Sequence, residues 1–151
     1  MRGGVVYLDS SAIVKRYIKE PGSNVVRELY IRAYSGDVTL SYSIWNVGEV
    51  LGALDRAKSI GRIDDEKYDI SKRRFLTETR RMLKLGLIIM VPLKMRILGE
   101  SWELIEKHHI YAADAIQITS SKYVNASQFL TGDKRLHEVA VEENLNSKYL
   151  A

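Results

Sequence analysis

Four of the chain's nineteen acids have neighbours that do not suit a merely solvated carboxylate. Asp9 closes the apolar run Val5-Val6-Tyr7-Leu8, and Glu49 lies between Gly48 and Gly52 in Trp45-Asn46-Val47-Gly48-Glu49-Val50-Leu51-Gly52. Asp114 sits in Tyr111-Ala112-Ala113-Asp114-Ala115-Ile116-Gln117, and Asp133 ends Phe129-Leu130-Thr131-Gly132-Asp133. A carboxylate among apolar or small neighbours is costly to desolvate and needs a compensating charge. Carboxylates that met at one place would also repel one another, and a hard divalent cation such as Mg²⁺ or Mn²⁺, which takes oxygen ligands, relieves both costs. Such a site activates water and stabilises charge developing on a phosphodiester, without a histidine or serine nucleophile. Each acid also has an ordinary structural role open to it. Asp9 and Asp133 suit helix N-caps, Asp114 suits the positive end of a helix dipole, and Glu49 suits an exposed ion pair with Arg56.

Whether the acids meet depends on the elements that carry them. Val5 to Leu8 reads as a buried strand feeding a helix capped by Ser10 or Ser11 and running to about residue 18. Pro21-Gly22 stops that helix, and Ser23 is expected to cap a second one reaching Tyr34. Val38-Thr39-Leu40 is a second strand, followed by a helix over residues 43–59 with Ile44, Val47, Leu51 and Leu54 at helical spacing. Asp64, Asp65 and Glu66 open a long basic helix ending before Gly86, and residues 87–91 form a third strand closed by Pro92. Helices follow over residues 93–107, with Ile97, Leu98, Trp102 and Ile105 inward, and over 111–123. A strand at 128–130, a helix over 134–143 and a short strand at 148–150 complete the chain.

This alternation implies a single domain over residues 1–151, with an α/β, three-layer α/β/α architecture around a central, mainly parallel sheet. Open sheets of that kind place their sites at the carboxyl ends of strands, near the switch in strand order, where Asp9 and Asp133 fall. With 46% hydrophobic and 28% charged residues, the composition is that of a globular domain. The chain has no cysteine, which excludes disulfides, thiolate zinc sites and a cysteine nucleophile. Met1 to Asp9 does not read as a signal peptide and no apolar run is long enough to span a bilayer, so a cytoplasmic protein with no membrane association is expected. The formal charge of +4 favours polyanionic partners.

Taken together, Tyr7-Leu8-Asp9-Ser10-Ser11-Ala12 with Glu20-Pro21-Gly22-Ser23, Asn46-Val47-Gly48-Glu49-Val50, Ala112 to Gln117 and Phe129 to Leu136 resemble the PIN domain, and more narrowly the VapC-type ribonuclease toxins of prokaryotic toxin–antitoxin pairs. The resemblance covers nearly the whole chain and is carried by the order and spacing of these short motifs. It implies a PIN-like fold and a Mg²⁺- or Mn²⁺-dependent endoribonuclease, with Asp9, Glu49 and Asp114 as metal ligands and Asp133 as the fourth acid. It further implies an RNA substrate, a homodimer and a small antitoxin whose C-terminal segment fills the active-site groove. Ser10 and Ser11 stand where many relatives have threonine or asparagine.

Several other residues carry expectations. The Thr131 hydroxyl should face the same side as Asp133, as a neutral ligand or a partner for water. Lys15 and Arg16 are close enough to Asp9 in sequence to meet phosphate, whereas Arg73, Arg80, Arg81 and Lys84 form a broad face that is either solvated or in contact with RNA. His108 and His109 are read as capping helix-end carbonyls. Tyr30, Tyr34 and Trp45 read as core or, if exposed, as anchors for a second subunit or antitoxin helix. A PIN nuclease of RNA processing or DNA metabolism and a non-catalytic binding module are the alternative functions. Asp9-Ser10-Ser11 lacks the paired acids of a phosphoacceptor domain and the Asp-x-Asp of an aspartyl phosphatase.

Overall fold

The structure, a computed structural model, describes residues 3–151, so Met1 and Arg2, where the reading against a signal peptide begins, lie outside the described residues. Strand β1 (Val5–Leu8) is buried on both faces, which only a central strand can be, and its branched and aromatic side chains suit that position. The chain continues through α1 (Ser10–Tyr17), α2 (Ser23–Tyr34), β2 (Thr39–Ser43), α3 (Ile44–Ser59) and α4 (Asp65–Lys84). After β3 (Ile88–Val91) come α5 (Met95–His108), α6 (Ala112–Tyr123), β4 (Gln128–Thr131), α7 (Lys134–Glu142) and β5 (Ser147–Tyr149).

All strand pairings are parallel, in the order β3-β2-β1-β4-β5. Strands added in one direction from β1 and then in the other put helices on both faces. One apolar core gathers side chains of α1 to α4 with Leu8 and Leu40, and a second gathers those of α5 to α7 with Tyr7 and Phe129. Tyr7 and Leu8, adjacent in β1, therefore point into opposite layers, as strand geometry requires. Strand order reverses between β1 and β4, where Tyr7 pairs in register with Phe129 and Leu8 with Leu130. The rings of Tyr7 and Phe129 stack at 5.6 Å.

The three-layer parallel architecture expected from the sequence is the one found, with several local differences. Asp9, not Ser10 or Ser11, caps α1, because its carboxylate accepts from Ala12 N while the serine side chains are used elsewhere. Ser23 does not cap α2. Its hydroxyl accepts from Glu20 N and donates to Ile18 C=O, tying down the loop before the helix. Helix α3 buries Asn46, Val50, Leu54 and Ala57, so its inner face is rotated from the expected stripe and Ile44 is exposed. Trp102, expected inward on α5, is 66% exposed, the inner face of that helix being held by Ile97, Ser101 and Leu104. Among the described residues no helix is long and apolar enough to cross a membrane.

Candidate metal centre

Ladder pairing brings the loops after β1 and β4 together: Asp9 N donates to Leu130 C=O at 3.1 Å, so Asp9 emerges beside Thr131. Asp9 is 3% exposed. Its Oδ1 accepts from Ala12 N at 2.9 Å and from the Ser11 hydroxyl at 2.6 Å, and its Oδ2 accepts from the Thr131 hydroxyl. Thr131 Oγ1 in turn accepts from Asp133 N at 3.0 Å, and Asp133 Oδ1 caps α7 by accepting from Leu136 N at 3.1 Å. Ser11 also accepts from Gly132 N at 2.8 Å, which locks the two loops against each other.

Glu49 approaches from α3, where Ser10 donates to its Oε1 at 2.9 Å. Asp114 stands in the first turn of α6, the expected position, and α6 belongs to the other helical layer. Burial falls off across the set. Asp9 is buried, Glu49 and Asp114 are half-buried and Asp133 is exposed at the rim. Nothing lies within 4 Å of the positions that side chains at Gly48 and Gly52 would take, so these glycines do not serve the close approach that their spacing suggested.

The electrostatics are those of anions deprived of water. Burial pushes the Asp9 carboxyl up to about 6, against the hydrogen bonds from Ser11, Thr131 and Ala12 N, and the Asp133 charge raises it further. Burial also pushes Asp114 up to about 6, reinforced by the charges of Asp133 and Glu49. Charge thus links all four acids, and none of the ion pairs among the described residues includes any of them. Among the described residues no three acids or histidines are drawn up at ready-made metal-ligand spacing. They form a loose, mutually repelling set at one sheet edge. The donor set is all oxygen and the local charge is unneutralised, which is the environment that suits Mg²⁺ or Mn²⁺.

The two candidate phosphate contacts part company. Lys15 lies beside Gly132, where a Cβ would stand 2.8 Å from Lys15 Cε, so the glycine leaves room for this lysine. Its Nζ pairs with Glu20 at 3.4 Å, and Arg62 holds the other oxygen of Glu20 at 2.9 Å. Arg16 points away into the α1–α4 contact, where Nε and a terminal nitrogen fork onto both oxygens of Glu78 at 3.0 and 2.9 Å. It is a structural ion pair there and is not presented to a phosphate. Tyr30 is core, while Tyr34 and Trp45 are about two-fifths exposed at 39% and 43%. His108 does not cap a carbonyl with its ring, which faces Glu143 at 2.7 Å and Glu142 at 3.1 Å, whereas His109 closes α5 through its backbone in the left-handed region.

Residues that the sequence reading passed over lie behind the acids. Asn46 and Gln117 are buried polar side chains, 0% and 2% exposed, and Gln117 Nε2 donates to Asn46 Oδ1 at 2.6 Å. The signal was available, since Asn46 stands at helical spacing with Val50, Leu54 and Ala57.

The sequence matches the PIN domain family over residues 6–142. The chain belongs to the PIN-domain family. No curated protein sequence matches this PIN domain significantly. Among solved structures it is similar to FitAcB from Neisseria gonorrhoeae, with 20% identity, a TM-score of 0.60 and coverage of 94% of this chain and 95% of that one. VapBC2 from Rickettsia felis, bound to a DNA fragment from its promoter, gives 16% identity, a TM-score of 0.63 and coverage of 97% and 99%. VapC20 from Mycobacterium tuberculosis, described as a sarcin–ricin loop cleaving toxin, gives 12% identity, a TM-score of 0.61 and coverage of 87% and 92%. At these identities the likeness is one of fold.

Proposed function

We propose that this PIN domain is a divalent-metal-dependent endoribonuclease that hydrolyses RNA phosphodiester bonds and acts as the toxin of a type II toxin–antitoxin pair. The observation that carries the nuclease reading is that Asp9 and Asp114 are desolvated beside Asp133 and Glu49 with no basic partner among them. Asp9, Glu49 and Asp114 would hold Mg²⁺ or Mn²⁺, with Asp133 at the rim completing the negative mouth. An ion held there would supply an acidified water and compensation for the charge that develops on the phosphodiester.

The chain's own residues prepare that site. Ser11, Thr131 and Ala12 N fix both oxygens of Asp9, and Ser10 orients Glu49. Lys15, beside Gly132, is the cation best placed for a substrate phosphate. A groove of about 450 Å³, lined by Ser10, Ser11, Glu49, Arg56 and Arg62, runs from Glu49 between α1 and α3 and supports a seat for an antitoxin segment. The toxin assignment draws on the likeness in fold to VapC20, described as a sarcin–ricin loop cleaving toxin, and the resemblance to VapC-type toxins implies a homodimer as the working form. A PIN nuclease of RNA processing or DNA metabolism, working without an antitoxin, would use the same acids, and toxicity on expression relieved by a neighbouring reading frame separates the two. The direct test is cleavage of single-stranded RNA with Mg²⁺, Mn²⁺ or EDTA by the wild type, Asp9→Asn and Asp114→Asn. Metal-dependent cleavage lost in both variants is expected, and metal-independent or undiminished cleavage overturns the reading.

A further inference from the structure

Behind the acids a closed chain of buried hydrogen bonds crosses from one helical layer to the other. The Tyr7 hydroxyl donates to Gln117 Oε1 at 2.8 Å, Gln117 Nε2 to Asn46 Oδ1 at 2.6 Å, and Asn46 Nδ2 to Leu8 C=O at 3.1 Å. Tyr7 and Leu8 are consecutive in β1, so the chain starts and ends on one strand after passing through α6 and α3. Every member is at most 2% exposed. Each polar group thus depends on the next, because a buried amide that loses its partner cannot turn to water.

The placement matters for the metal centre. Asn46 lies three residues before Glu49 on α3, Gln117 lies three after Asp114 on α6, and Leu8 immediately precedes Asp9. Residues three apart on a helix share a face, so Asn46 and Gln117 each sit one turn from a carboxylate. Helix α3 packs chiefly on α1 and α4, and α6 on α5 and β2. The Gln117–Asn46 bond therefore ties together two helices that belong to different layers and carry mutually repelling acids. Apolar contacts would tolerate a small slide of either helix, whereas a directional amide chain does not.

We propose that Asn46 and Gln117 are positioning residues that set the separation of Glu49 and Asp114 across the sheet edge, with Leu8 C=O referencing both to Asp9. The inference rests on the metal-nuclease reading of those acids. The test measures Mn²⁺ binding by calorimetry without RNA, kcat and KM for RNA cleavage, and the thermal midpoint, for wild type, Tyr7→Phe, Gln117→Met and the double variant Asn46→Leu/Gln117→Leu. Folded Gln117→Met is expected to bind Mn²⁺ about tenfold more weakly or worse and to lose a similar factor in kcat, with KM little changed. Tyr7→Phe, which removes one hydroxyl and little volume, should show the same pattern in smaller measure if Gln117→Met does not fold. The double variant leaves no amide stranded, only the Tyr7 hydroxyl and Leu8 C=O without their amide partners, and should recover part of the thermal stability lost in Gln117→Met without recovering Mn²⁺ affinity or kcat. If it recovers all three, or if Tyr7→Phe and Gln117→Met bind and turn over like wild type, the relay is only structural and the proposal falls. A wild type that neither binds Mn²⁺ nor cleaves RNA overturns the nuclease reading and this inference together.

Discussion

Thr131 donates its hydroxyl to Asp9 across 122 residues of sequence, joining the loops after β1 and β4 at the point where strand order reverses. The same oxygen accepts from Asp133 N, so one side chain holds two of the four acids. Thr131→Val keeps the shape and removes both functions. Without metal it should lower stability by about 1–3 kcal/mol, because buried Asp9 loses a hydrogen-bond donor and Asp133 N loses its acceptor. Urea unfolding in EDTA measures this, and an unchanged midpoint would show that the bond carries no weight.

Asp9→Asn should be folded, inactive and more stable than wild type in EDTA at neutral pH. The wild-type carboxyl titrates at about 6, above its ordinary value of 3.8, so the folded state holds the proton more tightly than the unfolded chain. The stability this confers is fully present below about pH 4 and is lost as pH rises to about 6. At pH 7 the penalty is on the order of 1–3 kcal/mol, and an asparagine escapes it. Its carbonyl oxygen still caps α1, and the Thr131 hydroxyl can turn to accept from the new amide. Thermal midpoints from pH 4 to 7 should converge for the two proteins at the acid end and separate at the neutral end. A variant less stable throughout contradicts the desolvation argument.

Arg16 and Glu78 supply a prediction of the opposite kind. Glu78 is 7% exposed and accepts from Arg16, Tyr17 and Tyr34, bonds that outweigh its burial and hold its carboxyl below the usual range. Removing one partner strands the other, so Glu78→Ala should cost about 3–5 kcal/mol. Arg16→Lys cannot reproduce the fork and should also lose stability. Its KM for RNA should nevertheless match wild type, because Arg16 does not face the acids. A raised KM would restore Arg16 to the substrate site.

Glu143 should govern part of the acid denaturation. Burial raises its carboxyl, but hydrogen bonds from Lys107, Lys122 and His108 outweigh that and bring it down to about 2. Its contribution is present above the ordinary value of 4.5 and disappears as pH falls towards 2. Glu143→Gln should be less stable at pH 7 and should lose less on acidification, and salt should narrow the difference because both lysines are exposed. Parallel pH profiles for variant and wild type would exclude this role.

The elements were legible because their signals are local. Val5 to Leu8 announces a buried strand, Asp64 to Glu66 a helix start and Gly86 its end, and each stands within a residue or two of the reading. Asp9 was legible for the same reason, since the residue after a central strand must emerge at the sheet edge. Only the spacing of Asn46 was legible, not its role, because apolar residues define a helix's inner face and the true inner stripe of α3 begins with an amide whose partners lie in β1 and α6. Arg16 misled through proximity. Seven residues from Asp9 along the sequence, it leaves α1 on the side that packs against α4, and only tertiary packing reveals that Glu78 is waiting there.

The central claim is that acids from both helical layers share one divalent ion, and anomalous scattering from Mn²⁺-soaked crystals tests it most directly. The account predicts a peak within roughly 2.1–2.3 Å of carboxylate oxygens of Asp9 and at least one of Glu49 and Asp114, absent from crystals of Asp9→Asn. A saturating soak that leaves this mouth empty, or a peak that survives the Asp9→Asn substitution unchanged, would contradict it.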